Sequence, residues 1–275
     1  MQVESRYADV NGLRMHYVTA GEGPPVLLLH GFPDTHAIWR HQVAALAAAG
    51  MRVIAPDLRG YGQTDMPAEV GAYAIAFLAD DVLRLMDALG IERAALVGHD
   101  WGSLIGWQLA MDAPHRITRY AALSVGHPKA VARAGLAQRL RFSYVLLFKT
   151  PVLAETILKA NDWAVLRRMI DDREQQEIWR EPLEPRGRLT AALNYYRANF
   201  TASDPGRWKK VDVPVMGVWS DRDPALGERQ MADSGEQCLA GFRFERLSGA
   251  DHWMQLSATA RLNALLLDFL GPSGA

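Results

Sequence analysis

A chain of 275 residues can form one large domain, or a domain carrying an insertion, and can bury a sizeable core. Its 30 Lys and Arg against 31 Asp and Glu leave a formal net charge of −1, which gives nucleic acid or an anionic membrane no overall electrostatic footprint. Cys238 stands alone, so an internal disulfide is excluded; no apolar run reaches bilayer length and residues 1–6 carry no apolar signal core, so a cytoplasmic protein is expected.

In chain order, residues 7–10 and 13–19 flank Asn11-Gly12, a hairpin turn signal. Residues 25–30 read as a buried strand that ends at Gly31-Phe32-Pro33-Asp34. Residues 35–49 have helical spacing, with Trp39, Val43, Leu46 and Ala47 apolar. A strand at 52–56 leads into the loop Asp57-Leu58-Arg59-Gly60-Tyr61-Gly62, and a helix from about 74 to 89 follows. An antiparallel start followed by alternating strands and helices predicts an α/β fold with a mostly parallel sheet.

The apolar run at 94–97 breaks at Gly98, and residues 104–111 are long and apolar enough for a helix packed on the sheet. Gly98-His99-Asp100-Trp101-Gly102 therefore occupies a sharp strand-to-helix turn. This is where a G-x-S-x-G nucleophile elbow lies, with Asp100 in the serine's place. Small flanking residues let such a side chain stand clear of the sheet, and the helix N-terminus favours an ionised Asp100. Taken alone, the same aspartate could be an ordinary helix cap.

Residues 117–124 read as another buried strand. Alternation then lapses, and 126–208 reads as successive helices, strongly apolar at 142–148 and over much of 157–170. It resumes with a strand at 213–219 that ends in Ser220-Asp221-Arg222-Asp223-Pro224, so an acid follows a late strand. A strand at 242–247 precedes Ser248-Gly249-Ala250-Asp251-His252-Trp253 and a terminal helix. Nucleophile, acid and histidine thus come in the order expected of this architecture. His30 reads as a packed histidine holding its loop. His16, His36, His41, His99, His115 and His127 show no metal-ligand spacing.

His30-Gly31-Phe32-Pro33, the Asp57 to Gly62 loop and Gly98-His99-Asp100-Trp101-Gly102, in this order, resemble the epoxide hydrolases of the α/β-hydrolase superfamily, relatives of the haloalkane dehalogenases, and the resemblance covers almost the whole chain. The resemblance implies an α/β-hydrolase core at 1–125 and 209–275, with helices on both faces of the sheet and an all-helical lid at 126–208. It implies Asp100 as nucleophile, Asp223 rather than Asp221 as the orienting acid, and His252 as base. The amides of Phe32 and Trp101 would form the oxyanion hole, and the hydroxyls of Tyr144 and Tyr196 would meet the epoxide oxygen. Tyr195 should point about 100° away from Tyr196 on a helix. The family usually has glycine where this chain has Asp251.

The implied partners are a small apolar epoxide and water, with no cofactor or metal and no nucleic acid or membrane; monomer and homodimer both stay open. A haloalkane dehalogenase is the alternative, with Trp101 as a halide donor, although Phe32 replaces the asparagine many of those enzymes place after His-Gly. A fluoroacetate dehalogenase would want arginines around the nucleophile, where this chain has Trp101 and Leu104. A ligand-binding protein on the same scaffold would not need the acid–histidine pair.

Overall fold

The computed structural model describes residues 2–200 and 208–271. Asn11 and Gly12, with φ of 52° and 75°, make the left-handed turn that joins β1 (Glu4–Val10) to β2 (Leu13–Ala20) as an antiparallel hairpin. The strands β3 (Pro25–Leu29), β4 (Arg52–Pro56), β5 (Ala94–His99), β6 (Ile117–Leu123), β7 (Val215–Ser220) and β8 (Phe242–Leu247) complete an eight-stranded sheet. Its order is β1-β2-β4-β3-β5-β6-β7-β8, parallel everywhere except where β2 pairs with β1 and β4. Every residue of β5 is buried, as a central strand covered on both faces requires.

Alternate side chains of the sheet feed two cores. On one face Val97 joins Val43 and Leu46 of α1 (Arg40–Ala48) and Leu262 and Leu266 of the C-terminal helix. On the other, Leu96 joins Leu78, Val82 and Leu85 of α2 (Ile75–Ala88) and Ile105 and Leu109 of α3 (Trp101–Asp112). The order reverses between β3 and β5, because β4 lies on one side of β3 and the later strands continue on the other. The carboxyl ends of two such strands leave the crevice in which open α/β sheets bind ligands. Both the Gly31-Phe32 loop and Asp100 emerge there.

Between β6 and β7 the described residues form six α-helices: α4 (Pro128–Arg133), α5 (Leu136–Arg141), α6 (Tyr144–Phe148), α7 (Leu153–Arg167), α8 (Arg173–Leu183) and α9 (Arg188–Asn199). The backbone of α7 leaves helical geometry from Ala160 to Trp163. The last stretch of the expected insertion, 201–207, lies outside the described residues. Tyr195 and Asn199 tie α9 to the core: the Tyr195 hydroxyl donates to the Arg59 carbonyl at 2.7 Å, and Asn199 bonds the Tyr73 carbonyl and the Ile75 amide. After β7 come α10 (Glu228–Ala232), α11 (Met254–Ser257) and α12 (Thr259–Leu270). No described helix is long and apolar enough to cross a membrane.

Candidate active site

Asp100 sits between β5 and α3 with φ 53° and ψ −116°, a strained backbone for a residue other than glycine. The turn is tight enough that a Cβ on Gly102 would lie 2.0 Å from the Leu29 carbonyl oxygen. Although Asp100 holds the cap position of α3, its side chain makes no capping hydrogen bond to that helix. Instead Oδ1 accepts the Phe32 amide at 2.8 Å. The β3 loop is pressed against it, since a Cβ on Gly31 would meet Asp100 Oδ1 at 2.3 Å.

His252 approaches from the other side, with Nε2 3.8 Å from Asp100 Oδ2. Its Nδ1 lies 2.7 Å from Asp223 Oδ2. The Ser124 hydroxyl donates to the same Asp223 oxygen at 2.8 Å, and Oδ1 accepts the amides of Ala225 and Leu226 at 2.8 and 2.9 Å. Asp221 is turned elsewhere, accepting the Gly249 amide at 2.7 Å and facing Arg246 at 3.7 Å. Asp251, where glycine was expected, takes the Trp253 amide and the Ser257 hydroxyl and so braces its own loop. Beneath the imidazole, His99 Nε2 donates to the His252 carbonyl at 2.9 Å.

Burial raises the Asp100 pKa above the ordinary carboxylate value; the His252 charge and the Phe32 and Trp101 amides oppose the rise without cancelling it. Desolvation therefore outweighs the helix N-terminus that the sequence reading weighed alone. For Asp223 burial also pushes upward, but the charge and hydrogen bond of His252 carry its pKa down. The two carboxylates act together on His252. Burial works against its imidazolium, but Asp223, then Asp100 and Asp34, raise its pKa to about 9.

Asp100 opens into an apolar cavity of about 380 Å³ that Trp101, Leu104, Phe142, Tyr144 and Tyr196 also line. The Tyr144 and Tyr196 rings lie 6.2 Å apart. Edge contacts from Trp101 and Phe148 and a stacked Phe200 hold Tyr196 in place. Burial raises the pKa of both phenols, and the Asp100 charge adds to the rise, so both keep their protons near neutral pH. Tyr195, its hydroxyl spent on Arg59, is not among the cavity's lining residues.

Two residues escaped the sequence reading. Asp34, wholly buried, accepts the indole N–H groups of Trp179 on α8 and of Trp253 beside His252, at 2.5 and 3.1 Å. Burial pushes its pKa up to about 7. Its place at the end of His30-Gly31-Phe32-Pro33-Asp34 was a usable signal. Ser124 lies just past β6, at the strand edge where ligands bind, and that was its signal.

His16, His36 and Asp57 come together with donor atoms suited to a metal. Yet the Asp57 oxygens already take both imidazole Nδ1 atoms at 2.7 Å and the His36 and Gln63 amides at 2.9 and 3.0 Å. Burial alone would raise the Asp57 pKa, but these bonds hold it far below the usual range. Its role is to fix the Asp57 to Gly62 loop. His30 is buried and neutral, its pKa lowered by burial to about 4; it accepts the Leu58 amide and donates to the Gly31 carbonyl.

A sheet of this order, interrupted between β6 and β7 by helices and bearing its strained turn after β5, defines an α/β hydrolase. Residues 24–259 match the family model for the alpha/beta hydrolase fold, and the chain belongs to that family. It is 34% identical to Epoxide hydrolase A of Mycobacterium tuberculosis, across 96% of each chain. Identity to the AB hydrolase superfamily protein YfhM of Bacillus subtilis is 33%, across 98% of each. The crystal structure of epoxide hydrolase VrEH1 from Vigna radiata superposes with a TM-score of 0.85 at 31% identity, covering 97% of both chains. The protein is a hydrolase of the α/β fold, homologous to epoxide hydrolases.

Proposed function

We propose that this protein hydrolyses a small apolar epoxide to a vicinal diol through an ester on Asp100, with residues 126–208 as the lid over the site. The observation that carries the reading is that one apolar cavity holds the Asp100 carboxylate and two protonated phenols, Tyr144 and Tyr196. A carboxylate is the nucleophile such chemistry needs. Serine attacking a saturated carbon would leave an ether beyond hydrolysis, whereas Asp100 leaves an ester that water and a base can cleave.

In the first half-reaction an Asp100 oxygen bonds to an epoxide carbon and the ring C–O bond breaks. The ring oxygen takes a proton from one tyrosine. Imidazolium at His252, whose pKa of about 9 keeps it charged at neutral pH, returns a proton to the tyrosinate by way of solvent. Two changes then ready His252 as a base: it is neutral, and the ester has removed one of the charges that raised its pKa. In the second half-reaction His252 Nε2 takes a proton from water, which attacks the carboxyl carbon. The amides of Phe32 and Trp101 hold the oxyanion, a contribution of about 3–4 kcal/mol per donor in comparable sites. Collapse breaks the ester C–O bond; the departing alkoxide takes its proton from His252, which regains one from the new carboxylic acid, so the diol leaves with Asp100 again a carboxylate and His252 again an imidazolium.

The geometry supports Asp223 as the acid that orients His252, since its Oδ2 takes Nδ1 at 2.7 Å. The dehalogenase alternative would need the Trp101 indole open to a halide, and the Tyr196 ring packs edge-on against that indole at 5.1 Å.

The test is mass spectrometry of His252→Gln after mixing with a panel of epoxides and haloalkanes. The expected result is a covalent adduct on Asp100 from epoxides that persists because hydrolysis is blocked. Adducts from haloalkanes alone would select the dehalogenase, and a protein left unmodified by every compound would sink both readings.

A further inference from the structure

The net charge of −1 conceals a strong local asymmetry. From residue 113 to residue 154 the chain contains no Asp or Glu. Within 126–154 lie Lys129, Arg133, Arg139, Arg141 and Lys149, which leaves the remainder of the chain at −6. None of these five cations forms an ion pair with a carboxylate among the described residues, whereas eleven Lys and Arg elsewhere do.

The same stretch carries Leu136, Leu140, Leu146, Val152 and Leu153, each with half to three-quarters of its surface exposed. They are five of the twelve large apolar side chains exposed among the described residues, gathered into 18 positions. Helix geometry accounts for their direction. On α5, Gln138 turns inward to bond Ala225 and Gly227, so Leu136 and Leu140, two residues to either side, face out. On α6, Tyr144 and Phe148 pack inward, and Leu146 between them faces out. Val131, Ala132, Arg139 and Phe142 line the cavity that ends at Asp100, and the exposure of Ala132 and Arg139 puts its mouth on this surface.

We infer that the outer face of α4 to α6, continued to the start of α7, docks on an anionic lipid surface, with the leucines seated among the headgroups and the cations over lipid phosphates. Exposed apolar side chains flanked by unpaired cations are the composition of interfacial helices, and each cation near an anionic leaflet adds to the attraction. A second copy of this chain is the poorer occupant. Across a two-fold interface this face would meet itself, setting five positive charges against five. The docking goes beyond the epoxide reading and does not depend on it. Where both hold, the mouth of the cavity faces the phase in which an apolar epoxide concentrates.

The experiment is flotation of the full chain with vesicles of phosphatidylcholine, and with vesicles in which a third of that lipid is phosphatidylglycerol. Binding is expected to the anionic vesicles only and to fall with added salt. Arg133→Gln should weaken it about fivefold. Leu136→Ser with Leu140→Ser should abolish it, while both variants keep the wild-type melting temperature and epoxide turnover. Absence of binding, equal binding to neutral vesicles, or wild-type binding by the variants would each overturn the inference. So would a dimer in sedimentation velocity that the double leucine variant dissolves. Flotation requires no turnover, so its failure leaves the catalytic reading untouched, and an inert enzyme that still floats would sink only the other.

Discussion

Gly31→Ala puts a single methyl group against Asp100, the proposed nucleophile. The φ of Gly31 lies outside the range that only glycine favours, so alanine pays no backbone penalty there and the whole effect is contact. The new Cβ would meet Asp100 Oδ1, Cβ and Cγ at 2.3, 2.4 and 2.7 Å. Carbon contacts become comfortable only at about 3.5 Å, so one side must yield by roughly 1 Å. Asp100 is fixed by a strained turn between a buried strand and a buried helix, and the β3 loop is held through His30 by the Leu58 amide. Overpacking of this kind costs about 1–3 kcal/mol, a few degrees of melting temperature in a chain this long. Catalysis should suffer far more. A displacement of about 1 Å at the reacting atom costs on the order of a hundredfold, and moving the Phe32 amide weakens the oxyanion site as well. Quenched-flow measurement of ester formation, beside a thermal melt, reads the two effects apart. A folded Gly31→Ala protein that forms the ester at the wild-type rate would refute the placement of Asp100 as nucleophile against this loop.

Asp223→Asn should slow ester hydrolysis by roughly 10³–10⁴-fold, because the amide presents the wrong hydrogen-bonding partner to His252 Nδ1. Asp221→Asn, which touches only Gly249 and Arg246, should stay near wild type in the same single-turnover assay. Tyr196→Phe should slow ester formation from epoxides by roughly 10²-fold and leave ester hydrolysis nearly unchanged, and adding Tyr144→Phe should abolish ring opening. Equal pre-steady-state rates in both would make these tyrosines structural. The His252 pKa rises on folding from 6.5 to about 9, so its imidazolium contributes stability that is complete below about pH 6.5 and is lost as pH climbs through 9. Melting curves across that window should fall more steeply for the wild type than for His252→Gln.

The parallel sheet, the elbow and the late acid and histidine were legible because each leaves a local mark: an apolar run, a pair of glycines, an acid or histidine just past a strand. The boundaries of β4 and β8 agree with the expected 52–56 and 242–247. Choosing between Asp221 and Asp223 needed the resemblance, since both follow β7, and only coordinates show which reaches His252. Asp34, Ser124 and the His16–His36–Asp57 group belong to another kind of information. Their partners lie on α8, in the loop past β7 and on β2, tens of residues or more away, and periodicity within a window cannot reveal a contact between windows. The pKa directions were hidden for the same reason. The helix N-terminus at Asp100 is readable from one segment, but the burial that outweighs it is built by residues brought from elsewhere in the chain, the β3 loop among them.

The insertion leaves the sheet from β6 and returns at β7, and these two strands are neighbours. Their pairing therefore closes a loop of some ninety residues whose ends are bound only a strand's width apart. Loop-closure entropy grows only with the logarithm of length, so doubling or halving such a loop shifts its cost by about 0.6 kcal/mol. Evolution, or an engineer, can thus lengthen, shorten or replace the roof of the cavity at a single seam, without moving one hydrogen bond of the ladder that carries Asp100. Kinetics carries the corresponding burden. The β6–β7 pairing is among the most distant in the chain, so β3, β4, β5 and β6 can assemble first while β7 and β8 wait for the roof to be folded out of the way.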